Sequence, residues 1–126
     1  MIADKYYKQA LLIRRTEETF LELFSQGKLN GTVHTCSGQE FSALAFCSVL
    51  NKEDVIQSNH RCHGHYIART GDVKGLIAEL MGKASGVCGG IGSSQHLCNN
   101  NFLKKILNKK NRFDDFVHCA AYTSVL

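Results

Sequence analysis

Apolar side chains recur at helical spacing over the start of the chain and predict a long helix from Asp4 to Gln26. Most of the apolar positions fall on one side of this helix, and charged residues, with Glu17 among them, occupy the rest. The apolar set is Tyr7, Leu11, Ile13, Phe20, Leu21 and Phe24. Gly27 is then expected to end the helix, because glycine tolerates the left-handed backbone common at helix C-termini.

Three later segments carry the signals of shorter helices. Ser37 and Glu40 form an S-x-x-E pattern, typical of a capping box, after the loop 31–38. A short helix is predicted over 63–69. Asp72 is expected to cap a fourth helix that stops before Gly82.

The segment between the second and third helices predicts a turn and a short strand. Asn51 to Asp54 is rich in turn residues, and Val55 to Ser58 has strand character. Ligands of α/β sheets bind at the carboxyl ends of strands. The polar residues that follow, with His60 and Arg61 among them, would lie at such an end.

Residues 82–101 contain five glycines and no apolar periodicity, which predicts a long loop. Long loops inside compact domains are usually functional. The backbone N–H groups of this loop, which leads to Ser94 and His96, are candidates to hold an anion.

The densest polar cluster is the run His60-Arg61-Cys62-His63-Gly64-His65. A guanidinium beside imidazoles suits phosphate or carboxylate, because its N–H groups match the geometry of these anions. Structural zinc is an alternative, since histidine and cysteine are zinc ligands, but the spacing fits no familiar zinc pattern. A catalytic Cys–His pair also stays open.

Composition bounds the class of protein. The chain has 126 residues with 44% hydrophobic and 21% charged content, as expected of one globular domain or part of one. No apolar run approaches the roughly 18 residues of a membrane span, and no secretory signal is evident, so a cytoplasmic location is expected. The six cysteines include no C-x-x-C pair and are expected to be mainly buried thiols.

The positive charge is uneven along the chain. Residues 1–102 hold ten basic and nine acidic residues, a net +1, whereas residues 103–126 hold five basic and two acidic residues, a net +3. Nucleic-acid binders usually carry such charge across a working face, so nucleic acid is not the expected partner.

Three blocks resemble the α subunit of the thiamine-diphosphate-dependent 2-oxo acid dehydrogenases, the E1 components of the pyruvate, branched-chain and acetoin dehydrogenase complexes. These blocks are HTCSGQE at 34–40, SNHRCHGHY at 58–66 and LIAELMGKASGVCGGIGSSQH at 76–96. The form of the second block is most similar to acetoin dehydrogenase. The resemblance implies an α/β thiamine-diphosphate-binding fold, of which this portion is mostly helical with one or two short strands.

The resemblance also implies roles for particular residues. Arg61 and His60 match the residues that hold the diphosphate of thiamine diphosphate, and His34 matches a histidine near the thiazolium that is associated with the 2-oxo acid. Three further residues match positions that shape the same region: His63, Ser94 and His96. The implied reaction is oxidative decarboxylation of a 2-oxo acid, or acetoin cleavage, with acyl transfer to the lipoyl group of E2. The implied partner is an E1 β subunit in a heterotetramer.

The resemblance stops near Phe102. The family's G-D-G motif, which supplies Mg²⁺ ligands, does not occur in this sequence. We therefore expect a truncated E1α-like domain over 1–102 and a divergent basic tail over 103–126, as a frameshifted or shortened reading frame would produce. Such a chain is expected to be inactive alone. The alternative is a non-catalytic interaction module that uses the basic tail.

Overall fold

The computed structural model describes residues 2–29, 31–52, 54, 56 and 58–98, and four helices account for most of this part of the chain. Helix α1 spans Ile2–Ser25, α2 spans Glu40–Ser48, α3 spans His63–Thr70 and α4 spans Val73–Leu80. No strand occurs among the described residues. Two of the four residues of the predicted strand, Val55 and Gln57, lie outside them, as do residues 103–126.

Helix α1 ends where the sequence predicts. Gly27 adopts a φ of 69°, its N–H donates to the Phe24 carbonyl at 2.9 Å, and the Lys28 N–H donates to the Leu23 carbonyl at 2.9 Å. These bonds satisfy carbonyls that the helix end leaves without an intrahelical partner.

The buried side of α1 differs from the predicted one. Ile13 and Phe20 are fully buried as expected, and Glu17, predicted on the polar side, is also fully buried. Four members of the predicted apolar set are exposed by 42–63%: Tyr7, Leu11, Leu21 and Phe24. The buried stripe follows the spacing i, i+4, i+7 through residues 13, 17 and 20, so one carboxylate lies in the core.

Helix α2 exists as predicted, but the capping box does not form. The helix begins at Glu40 with Gln39 as its N-cap, and no side chain caps it. The Glu40 carboxylate instead accepts the Gly38 N–H at 3.0 Å and the Arg14 Nε–H at 2.6 Å, which joins α2 to α1. Because of these donors the pKa of Glu40 falls to about 2.

We expect Glu40→Gln to destabilise the protein at pH 7 by about 1 kcal/mol, since Arg14 is nearly half-exposed and water screens the pair. The lowered pKa of Glu40 stabilises the fold above the ordinary value of 4.5, and this contribution disappears as the pH falls toward about 2. Urea unfolding of both proteins at pH 7, 4 and 2.5 measures the difference. Glu18→Gln, in an exposed pair with Arg15, is the control. A difference that stays constant down to pH 2.5 would contradict the assignment.

Helices α3 and α4 confirm their predicted signals. The Asp72 carboxylate accepts the Gly75 N–H at 2.8 Å at the start of α4. Gly64 brings α3 close to its neighbours, since a Cβ at that position would lie 3.0 Å from the Cys36 Sγ and 3.2 Å from the Ala43 Cβ. Helices α1, α2 and α3 pack against one another, and Leu76 and Leu80 of α4 join the same buried cluster. None of the helices described is long and apolar enough to cross a membrane.

Candidate functional site

Arg61 is anchored to the loop that precedes α2. Its guanidinium donates a short hydrogen bond to the carbonyl of Thr35, and its backbone N–H donates to the Asn59 side chain at 2.9 Å. The side chain is only partly exposed. One guanidinium edge is therefore fixed to the protein, while a guanidinium has five N–H donors in all.

Two imidazoles lie at the same place. The rings of His34 and His60 meet edge to face, with centroids 4.9 Å apart and planes at 80°. Since Thr35 follows His34 and Arg61 follows His60, the ring contact and the Arg61 hydrogen bond join two loops that are 26 residues apart. We call His34, His60 and Arg61 the anion patch, because each carries N–H groups that suit an anionic ligand.

A second arrangement lies in the core and is fully buried. His63 Nδ1 is 2.9 Å from Glu17 Oε1, and His63 Nε2 is 2.9 Å from Ser94 Oγ and 3.1 Å from the Ser94 carbonyl. All three residues have 0% exposure. This Glu17–His63–Ser94 chain joins α1, α3 and the glycine-rich loop, and His63 is two residues after Arg61 in the sequence. Because all three residues are fully buried, this chain of contacts offers no surface to a ligand.

Cys36 belongs to the same buried core. Its thiol donates to Glu17 Oε1 at 3.2 Å. Burial and the nearby Glu17 carboxylate raise the pKa of Cys36 to about 12, so the reactive thiolate is scarce at neutral pH. Cys36 and Cys62 are buried, as predicted, whereas Cys47, Cys88 and Cys98 are only partly buried.

The sequence suggested that backbone amides of the glycine-rich loop could hold an external anion, but several of these amides bind an internal one. Four of its backbone N–H groups donate to the buried carboxylate of Glu79 instead. The donors are those of Cys88, Gly90, Gly92 and Ser93. The anion that these four amides bind is therefore the side chain of Glu79.

The remaining histidines, His65 and His96, form hydrogen bonds with residues outside the anion patch. His65 Nδ1 is 2.9 Å from Ser58 Oγ, and burial lowers the pKa of His65, so its neutral form predominates at pH 7. His96 closes a turn in which its N–H donates to the Gly92 carbonyl at 3.1 Å. Within the described part of the chain, no group of three or more His, Cys, Asp or Glu residues could hold a metal ion, so the zinc alternative has no ligand set there.

The sequence matches a known family over most of its length. Residues 8–112 match the family described as "Dehydrogenase E1 component". The chain belongs to this family. The match reaches ten residues beyond the predicted boundary at 102 and includes the anion patch, the Glu17–His63–Ser94 chain and the whole glycine-rich loop.

Curated members of the dehydrogenase E1 family are similar over the same region. The alpha subunit of acetoin:2,6-dichlorophenolindophenol oxidoreductase of Bacillus subtilis is 46% identical over 91 residues, which cover 72% of this chain and 27% of that protein. The mitochondrial pyruvate dehydrogenase E1 alpha subunit of Saccharomyces cerevisiae is 40% identical over 91 residues, which cover 72% of this chain and 22% of that protein. The pyruvate dehydrogenase E1 component subunit alpha of Rickettsia bellii is 40% identical over 93 residues, which cover 74% of this chain and 28% of that protein. The chain thus spans about a quarter of the length of these relatives.

Sequence reasoning missed two carboxylates that organise this part of the E1 family fold. Glu17 falls at i+4 from Ile13 and i−3 from Phe20, so its register with buried residues was a usable signal. Glu79 likewise lies at i+3 from Leu76 on α4, and both residues are fully buried. The sequence indicated no role for either residue. Glutamate is normally exposed, although the position of each in the helical register indicated burial.

Proposed function

We propose that this chain supplies the diphosphate-binding part of an E1 α subunit, in a thiamine-diphosphate-dependent dehydrogenase acting on a 2-oxo acid or on acetoin. The observation that carries the proposal is the anion patch, where the Arg61 guanidinium is anchored to Thr35 beside the edge-to-face rings of His34 and His60. The family match and the relatives named as alpha subunits of pyruvate dehydrogenase E1 and of an acetoin oxidoreductase support the proposal.

The donor set of the anion patch fits a diphosphate. Arg61 carries a permanent positive charge on a guanidinium that its Thr35 contact holds in place, and His60 adds an exposed imidazole beside it. His34, half-buried against His60, is the residue assigned to the substrate end. When bound, thiamine diphosphate supplies the electron sink for cleavage next to a carbonyl. The chain's own part is to bind the anion and orient the imidazoles.

Buried residues support this geometry through their hydrogen bonds. Ser94 and His63 bond to each other in the core, and Cys62, which follows Arg61, has its Sγ 3.6 Å from the Ser94 carbonyl. We propose that His63, Ser94 and His96 act through such contacts rather than by touching the diphosphate. We further propose that residues 1–102 form the E1-like domain of an α/β fold and that the protein is located in the cytoplasm.

Binding to this chain alone is proposed to be weak. One fixed positive charge faces a diphosphate, and the described residues provide no metal-ion ligand set that would neutralise the rest of its charge. Tight binding, turnover, and association with an E1 β subunit and a lipoyl-bearing E2 would therefore need groups beyond those described.

Titration of the 126-residue chain with thiamine diphosphate and Mg²⁺, followed by NMR of the imidazole groups, tests the proposal. We expect a weak complex that shifts the resonances of His34 and His60 and leaves those of His65 unchanged. Arg61→Met should weaken it at least about tenfold, because a charge-assisted hydrogen bond contributes about 1.5–3 kcal/mol.

Arg15→Met is the matched control, since Arg15 pairs with Glu18 on the exposed side of α1. Equal losses in the two variants, or shifts at His65 alone, would contradict the assignment of the anion patch. Micromolar affinity of the unaltered chain, measured by calorimetry, would contradict the expectation of weak binding.

A further inference from the structure

Glu79 is a buried acid that accepts hydrogen bonds from four backbone amides of the glycine-rich loop. It lies in the last turn of α4 with 0% exposure. Its Oε2 accepts the N–H groups of Cys88 at 2.7 Å and Gly90 at 2.9 Å. Its Oε1 accepts those of Gly92 at 2.6 Å and Ser93 at 3.2 Å. No lysine or arginine of the described residues forms an ion pair with it, so the loop backbone itself solvates the carboxylate.

The loop is wrapped around this carboxylate too closely for side chains. A Cβ at Gly86 would lie 2.5 Å from Glu79 Oε2 and 2.6 Å from Glu79 Cα. A Cβ at Gly92 would collide with the His96 carbonyl oxygen. The glycines thus allow the loop backbone to pass close to Glu79. The carboxylate determines the course of this backbone, because each bonded amide must point at one of its two oxygens.

The part of the loop backbone that bonds to Glu79 is followed closely in the sequence by Ser94 and His96. Ser93, the last donor to Glu79, has a φ of 54°, and the next residue, Ser94, places its Oγ 2.9 Å from His63 Nε2. Gly92, another donor, also accepts the His96 N–H at 3.1 Å. The bonds from Glu79 therefore fix the backbone on the N-terminal side of both Ser94 and His96.

We propose that Glu79 is a positioning residue, which sets the path of the glycine-rich loop and thereby holds Ser94 against His63 and places His96. The assignment of a catalytic purpose to this placement rests on the proposed function. Glu79 acts from α4 through the loop, and the diphosphate end of the site, Arg61 with His60, is held by separate contacts to Thr35 and His34.

Glu79→Gln in the full 126-residue chain provides a specific signature. The glutamine amide has one accepting oxygen and one donating nitrogen, so it can serve the amides on one side and must oppose the N–H groups on the other. In hydrogen–deuterium exchange followed by NMR, we expect one pair of amides to exchange at least about tenfold faster while the other pair keeps its protection. The pairs are Cys88 with Gly90, and Gly92 with Ser93.

The imidazole resonance of His63 gives the second measurement, since a displaced Ser94 changes the hydrogen bond at Nε2. We expect it to shift in the folded Glu79→Gln protein. Glu22→Gln, an exposed acid on α1, is the control and should alter neither the four amides nor His63. A residue with only a general stabilising role would lower the free energy of unfolding and leave the His63 resonance of the folded protein in place.

Unchanged protection of all four amides, or an unchanged His63 resonance in folded Glu79→Gln, would overturn the proposal. If the variant does not fold, the unaltered chain decides: the four amides must exchange at least about tenfold more slowly than that of the exposed Ile91. Rapid exchange at all four would refute the contacts. None of these measurements uses thiamine diphosphate, so a failure to bind the cofactor would count against the proposed function alone.

Discussion

Replacing His63 with alanine is expected to lower the free energy of unfolding by about 3–5 kcal/mol, because it breaks a buried, charge-assisted contact from one side. His63 has 0% exposure, and both ring nitrogens have partners, Glu17 at 2.9 Å and Ser94 at 2.9 Å. The variant leaves the Glu17 carboxylate buried with the Cys36 thiol as its remaining donor among the described residues. It also removes an edge-to-face contact with Phe20 at 5.2 Å. Urea unfolding followed by circular dichroism measures the loss.

His60→Ala is the matched control for this prediction. It removes the same ring from an exposed position, where it contacts His34, and should change the free energy of unfolding by less than about 0.5 kcal/mol. Glu17→Gln keeps an oxygen that can accept hydrogen bonds from His63 and Cys36. It should therefore lower the free energy of unfolding clearly less than His63→Ala does. Equal effects of His63→Ala and His60→Ala would show that the Glu17–His63–Ser94 chain does not stabilise the core.

The second large effect is expected at Gly90. This residue has a φ of 78°, and a Cβ built there would lie 2.5 Å from the Gly82 carbonyl carbon and 2.6 Å from the Lys83 oxygen. Gly90→Ala combines left-handed strain with a backbone collision that no side-chain rotation relieves. We expect a loss of about 2–4 kcal/mol in the free energy of unfolding, with faster amide exchange at the neighbouring donors to Glu79.

Gly89→Ala separates the two causes. Gly89 has a similar φ of 70°, but no atom lies within 4 Å of a Cβ built on it. The Gly89→Ala variant therefore has the backbone strain without the collision, and we expect it to lose about 1 kcal/mol in the free energy of unfolding. If the two alanine variants were equally stable in urea, the close approach of Gly90 to residues 82 and 83 would not determine the loop path.

The four helices and the basic cluster of His60 and Arg61 could be predicted because their signals are local. The end of α1 at Gly27 and the Asp72 cap of α4 depend on bonds between residues three to five positions apart, so their effect is contained in short stretches of sequence. The chemistry of Arg61 beside histidines likewise needed only neighbouring residues. The S-x-x-E pattern at Ser37 and Glu40 was misleading, because Arg14, a residue of another helix, binds the carboxylate that would have closed the box.

The sequence by itself determined the helices, the left-handed glycine at the end of α1 and the residue types able to bind an anion. Only the tertiary structure decided how the buried acids are used: Glu17 meets His63 across 46 residues, and Glu79 meets the loop amides 9 to 14 residues away. A carboxylate can be buried only where donors converge on it, and that convergence depends on how separate segments pack. Local spacing does not contain it.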